Sequence, residues 1–173
     1  MKDKTKNIYY LPCDKKELIK ALSDPIAHKN RFIHAIDFTL PEGSKIYAAQ
    51  DGEIGRIKDD SNEGGFTKKY READPNKYLN YITIKHKNGE FSEYAHLKYN
   101  SLKIKIGDKV RRGDLIALSG NTGISTEPHL HFHVLRTIDD GNDWKTLDIK
   151  WGNTPKIEEK EIRDGRIVKY YEF

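Results

Sequence analysis

The chain has one cysteine, Cys13, and one methionine, Met1, in 173 residues. A single thiol excludes an internal disulfide framework. No apolar run approaches the roughly 18 residues of a membrane helix, which predicts no transmembrane segment. The first residues, Met1-Lys2-Asp3-Lys4-Thr5-Lys6, lack the hydrophobic region of a secretory signal. The expectation is a cytoplasmic chain or a trimmed mature form carrying a start Met. Charge of one sign is not in large excess either: Lys+Arg 31 stand against Asp+Glu 27, for a net +4. Such a balance carries no nucleic-acid signature, although a mild positive excess suits contact with an acidic polymer. The length fits one domain with a real core.

What the chain does have is histidine. Seven are present, and three of them alternate in His129-Leu130-His131-Phe132-His133. On a β-strand this spacing points three imidazoles to one face and Leu130, Phe132 and Val134 to the other. Neutral imidazole is the commonest metal ligand and a good base near pH 7. The row therefore looks like the floor of a metal site. Not all three rings need be ligands, because a ring two residues away can serve a water or an oxyanion instead. His96, at the end of a strand after Tyr94-Ala95, can supply a matching imidazole from across the site. Asp37 ends an otherwise apolar strand and needs a partner, for which a metal is a good candidate. No His-Glu-x-x-His helix is present, so the base has to be a histidine.

The rest of the chain reads mainly as β. A short N-terminal helix is expected over residues 14–22, stopped by Pro25. Strands are expected at 32–38, 115–119 and 130–136. Asp51-Gly52 predicts a hairpin between strands 45–49 and 53–57, and Asn88-Gly89 another between 81–86 and 91–96. Asp164-Gly165 predicts a final hairpin on a sheet edge. Residues 59–78 form a long polar insertion with Gly64-Gly65, of the kind that is often functional.

Several segments together resemble the lysostaphin/LytM-type zinc metallopeptidases. They are His34-Ala35-Ile36-Asp37-Phe38, Tyr94-Ala95-His96-Leu97, the glycine-punctuated run from Gly107 to Gly123, and Pro128-His129-Leu130-His131-Phe132. The resemblance covers roughly residues 28–136, and its motifs are specific in combination. It implies a compact antiparallel β-sheet or β-sandwich domain with a groove, one catalytic Zn2+ per chain, and hydrolysis of peptide bonds in bacterial peptidoglycan. It also implies roles: Asp37 and His131 bind zinc, and His96 and His129 are catalytic. Which of these two is the general base stays open.

The remaining ligand departs from the usual His-x-x-x-Asp pattern, because Ile33 stands four before Asp37. His34 is three before, on the opposite face of a regular strand unless a bulge intervenes. Some members carry this ligand further upstream, and Ala27-His28-Lys29-Asn30 resembles that variant. His28 is the expected third ligand, with His34 as the alternative. His133 is read as a residue behind the ligands or as groove wall. His86 is read as a satisfied polar residue.

The organisation expected is an N-terminal extension (1–27), a metallopeptidase domain (28–150, with the 59–78 insertion) and a C-terminal hairpin packed on the same domain (151–173). The insertion is expected to wall the groove. The substrate of the resembling family implies a periplasmic, envelope or secreted setting. The competing reading is a LytM-like module that has lost zinc and binds wall or a protein partner. A third pattern, Gly107-Asp108 and Gly113-Asp114 with their following aliphatics, also resembles biotinyl and lipoyl carriers. These need a modifiable Lys after Met, and the only Met is Met1. The scissile bond is not specified by these residues.

Overall fold

The computed structural model describes residues 3–138 and 143–173. In chain order the strands are β1 (Lys20–Ser23), β2 (Ile36–Thr39), β3 (Lys45–Tyr47), β4 (Gly52–Lys58), β5 (Gly64–Gly65), β6 (Tyr81–Lys85) and β7 (Glu90–Ala95). They continue as β8 (Lys109–Val110), β9 (Leu115–Leu118), β10 (Gly123–Ile124), β11 (His129–Ile138), β12 (Asp143–Thr146), β13 (Lys156–Arg163) and β14 (Arg166–Glu172). One α-helical turn, α1 (Lys68–Arg71), lies in the insertion. Among the described residues no helix is long and apolar enough to cross a membrane.

A ten-stranded antiparallel sheet dominates, in the order β13-β14-β1-β2-β11-β7-β6-β4-β8, with β12 paired to β11. Alternation explains why it folds this way. On β11, Leu130, Phe132 and Val134 are fully buried on one face, and His129, His131 and His133 occupy the other. On β2, Ile36 and Phe38 enter the same core and Asp37 faces the histidines. A one-residue slip would turn the whole histidine row into the core, so the apolar residues set the register of the site. Tyr94 is fully buried in this core, its hydroxyl accepting from Ala49 N–H at 2.8 Å and from Ser92 Oγ at 3.3 Å.

The N-terminal segment is stitched to the sheet by buried Glu90. Its carboxylate accepts from Asn7 N–H at 3.1 Å and from Tyr9 Oη at 3.1 Å, and pairs with Arg136 at 2.9 Å. Tyr9 is fully buried in the main core.

Three expectations are corrected. The helix over 14–22 is absent: a turn at Asp14 leads into β1, which lies between β2 and β14. Nine residues make a marginal helix alone. As a strand, this segment buries Ala21 and Leu22 and satisfies the backbone of both neighbours. The hairpin at Asp51-Gly52 is also absent. β3 pairs with β9, and β4 pairs with β6 and β8. Gly52 serves close strand packing instead, since a Cβ there would lie 2.5 Å from Lys85 O. The segment expected as strand 32–38 is a 3-10 turn (Asn30–Phe32) followed by β2.

The other two turns form as expected. Asn88-Gly89 joins β6 to β7, and Asp164-Gly165 joins β13 to β14 at the sheet edge. All four residues have positive φ, as the tight hairpin geometry requires.

Candidate active site

β11 and β2 build the centre. His131 and Asp37 are direct cross-strand partners, so their side chains leave the same face of the sheet. His131 Nδ1 lies 2.9 Å from Asp37 Oδ1. His28 comes from the turn before the 3-10 segment, and its Nε2 lies 3.1 Å from Asp37 Oδ2. That turn is held by its own backbone: His28 N–H donates to Asp24 O at 2.8 Å, and Ile26 N–H to Asp24 Oδ1 at 2.8 Å. Arg163 of β13 then clamps the Asp24 carboxylate at 2.6 Å. The C-terminal hairpin therefore fixes the loop that carries His28.

Among the described residues, His28, Asp37 and His131 form a group whose ligand atoms all lie within 4.8 Å of one another. Two imidazole nitrogens and a carboxylate oxygen are a donor set that suits zinc, with room for a fourth ligand. Without a cation, both imidazoles must donate to the carboxylate; a bound cation would replace those protons. The other nitrogen of His131, Nε2, lies 3.3 Å from His133 Nδ1. His133 can thus accept the His131 proton once Nδ1 becomes a ligand, the outer hydrogen bond that metal-binding histidines usually make. The donor set and its surroundings fit a metal.

Electrostatics agree with this arrangement. Burial alone would raise the Asp37 carboxyl, but hydrogen bonds from His131 and His28 outweigh it and hold Asp37 well below the usual carboxylate range. Burial lowers His131, although Asp37 opposes the shift. Burial and the neighbouring His131 keep His133 far below the usual imidazole value, so it is neutral. Its ring stacks on Trp144 at 5.8 Å and meets Phe32 edge-on at 5.4 Å.

His96 and His129 stand beside this group with ring centroids 4.4 Å apart. Both are oriented the same way. His96 Nδ1 lies 2.6 Å from Thr122 O, and His129 Nδ1 lies 2.8 Å from Glu127 O. A carbonyl only accepts, so each Nδ1 carries the proton and each Nε2 offers a lone pair. His129 Nε2 is 3.7 Å from Asp37 Oδ1. Burial, aided by His129 and His131, pushes His96 down to about 3. The loop bearing Thr122 is pinned to the His96 strand by Asn80. That fully buried side chain donates to Ser61 O and Leu97 O, and its backbone N–H donates to Thr122 Oγ1 at 3.2 Å.

These groups line a cleft of about 380 Å3. The insertion contributes Phe66 and Pro75 to its wall. His34 lies elsewhere, in a separate cavity with Asp148 and Lys169, its backbone N–H donating to Thr146 Oγ1 at 3.2 Å. His86 is buried and satisfied by Asp51 O and Ser92 Oγ at 2.8 and 2.7 Å. One cleft residue was not singled out from the sequence: Glu93, on the His131 side of β7. Its signal was present, since Glu93 alternates with the core residues Ser92 and Tyr94 on a strand leading to His96.

A sequence model of peptidase family M23 matches residues 31–144. The chain belongs to peptidase family M23. Among M23 relatives, an uncharacterised metalloprotease of Buchnera aphidicola subsp. Baizongia pistaciae is 41% identical over 111 residues, covering 64% of this chain and 25% of that protein. The peptidoglycan DD-endopeptidase ShyA of Vibrio cholerae is 34% identical over 99 residues, covering 57% of this chain and 19% of that protein. The chain thus matches about a quarter or less of these relatives' length. The crystal structure of a zinc-containing peptidase from Vibrio cholerae superposes with a TM-score of 0.52 at 26% identity, over 74% of this chain and 36% of that one.

Proposed function

We propose that this M23 chain is a zinc-dependent endopeptidase that hydrolyses peptide bonds in bacterial peptidoglycan, in cross-links or stem peptides. The observation that carries the reading is the joint presence of the His28/Asp37/His131 group and two imidazoles whose Nε2 atoms are free to take a proton. His28, Asp37 and His131 would hold the ion. Zinc supplies Lewis acidity, lowering the pKa of a water and polarising a carbonyl.

The chain's own residues do the rest. Nε2 of His129 or His96 accepts the proton of the attacking water, and the same pair hydrogen-bonds the tetrahedral oxyanion. One imidazolium then donates to the leaving amine. Burial keeps the His96 ring neutral, with its Nε2 lone pair exposed to the cleft side of the ring. Hydrogen bonds from His131 and His28 keep the Asp37 carboxyl well below the usual carboxylate range. The catalytic unit in this reading is residues 28–150, with 1–27 and 151–173 packed onto it. The name of ShyA supports peptidoglycan as substrate and the cell envelope as the site of action.

The test is digestion of purified peptidoglycan, with mass spectrometry of the released muropeptides. New peptide ends in the presence of zinc, absent with a chelator and in His129→Ala, are expected. Intact peptidoglycan with zinc bound would instead leave a wall-binding module.

A further inference from the structure

The groove floor carries a carboxyl that the mechanism above does not use. Glu93 on β7 faces His133 of β11 on one side and Thr83 of β6 on the other, as a direct cross-strand partner of both. The next pair along is Ala95 with His131, on the same face of the sheet. Glu93 lines the same cleft as Ala95, His96 and His131.

Among the described residues no cation forms an ion pair with this carboxyl. Its hydrogen bond comes from Thr83 Oγ1 at a long 3.4 Å. Arg56 lies one strand beyond Thr83 in the same row, and among the described residues it forms no ion pair with Glu93. Burial therefore pushes Glu93 up to about 7 despite Thr83 and Arg56. Phe66, Pro75 and Leu79 add apolar surface to the same cleft. A carboxylate held in such a place without a cation is costly, and a cation brought by the ligand removes that cost.

We propose that Glu93 is a specificity residue that binds a primary ammonium group of the substrate peptide, selecting amine-bearing over amine-blocked peptides. An ammonium brings several N–H donors and the missing positive charge, and charge-assisted bonds are roughly twice as strong as neutral ones. The site is distinct from the metal group: Glu93 pairs with the row of His133, one pair along from Asp37 and His131. The inference rests on the reading that this cleft holds a peptide.

The experiment measures binding, so it does not depend on turnover. The full chain, unmutated and as Glu93→Gln, is titrated calorimetrically with the N-terminally acetylated tetrapeptide Ac-L-Ala-D-γ-Glu-L-Lys-D-Ala, whose one amine is the lysine Nε, and with its Nε-acetyl-lysine form. The unmutated chain is expected to bind the free-amine peptide about tenfold more tightly than the acetylated one. Glu93→Gln should bring the first affinity down to the second and leave the second unchanged. Equal affinity of the unmutated chain for both peptides, retained discrimination in Glu93→Gln, or no binding of either peptide would overturn the inference. The two readings fail separately: Glu93-dependent discrimination with uncut peptidoglycan contradicts the endopeptidase, and cut peptidoglycan without discrimination contradicts only the role of Glu93.

Discussion

His131 and Asp37 are direct partners across β11 and β2, with Nδ1 2.9 Å from Oδ1. The pairing ties a buried carboxylate to an imidazole through the register of the sheet rather than through a loop. Everything else in the site is arranged around that pair: His28 from a clamped turn, His129 from the strand's first residue, His96 from the end of β7.

His129→Ala and His96→Ala should each leave metal content unchanged and lower kcat by about 10²–10⁴-fold, the usual worth of a general acid or base. The measurement is turnover on a defined peptidoglycan peptide, with zinc content read in parallel. Loss of zinc in either variant would make that histidine a ligand instead.

His133→Leu should weaken zinc binding about 10–100-fold while the protein stays folded. His131 Nε2 loses its partner at 3.3 Å, so the ring is no longer held in the tautomer and orientation that present Nδ1. Competition with a chromophoric chelator reads the affinity, and circular dichroism checks the fold. An unchanged affinity would reduce His133 to groove wall.

Arg163 makes a prediction at a distance. Arg163→Ala removes the clamp on Asp24, whose backbone carbonyl accepts from His28 N–H. The His28 turn should loosen, and zinc affinity should fall by a factor smaller than in His28→Ala. The same chelator competition measures it.

The metal-free protein should lose stability as pH falls from about 6.5 toward 3. Burial holds His96 near 3 in the fold, whereas its unfolded value is near 6.5. Between these values the unfolded chain binds the extra proton, so the stability present above 6.5 is lost progressively. His131, His133 and His86 shift the same way and add to the slope. Asp37 acts in the same direction at lower pH: its depressed value means its share is lost as pH falls below the ordinary carboxylate pKa. Thermal melts in chelator across this range check the trend, and His96→Gln should flatten it.

How much of this was legible in the sequence differs from residue to residue. The His129–His133 row, Asp37 and the hairpins at Asn88-Gly89 and Asp164-Gly165 were readable, because strand alternation and tight-turn chemistry are local. Residues 14–22 misled: their local pattern is weakly helical, while β1 is imposed by its neighbours β2 and β14. Asp51-Gly52 misled for the same reason, since β3 finds its partner in β9, far along the chain. Which of His28 and His34 lies beside Asp37 also needed the fold. Residues 33–35 are not strand, so parity from Asp37 could not decide it, and the turn held by Asp24 and Arg163 is what brings His28 to the carboxylate. Glu93 was visible by alternation, but its lack of a cation became apparent only with β6 and β11 on either side.

The most direct measurement of the central claim is the metal content of the purified chain by inductively coupled plasma mass spectrometry, with His28→Ala and His34→Ala prepared alongside. The account predicts about one zinc per chain, kept in His34→Ala and lost in His28→Ala. An unmutated chain that takes up no zinc even when zinc is added would contradict it.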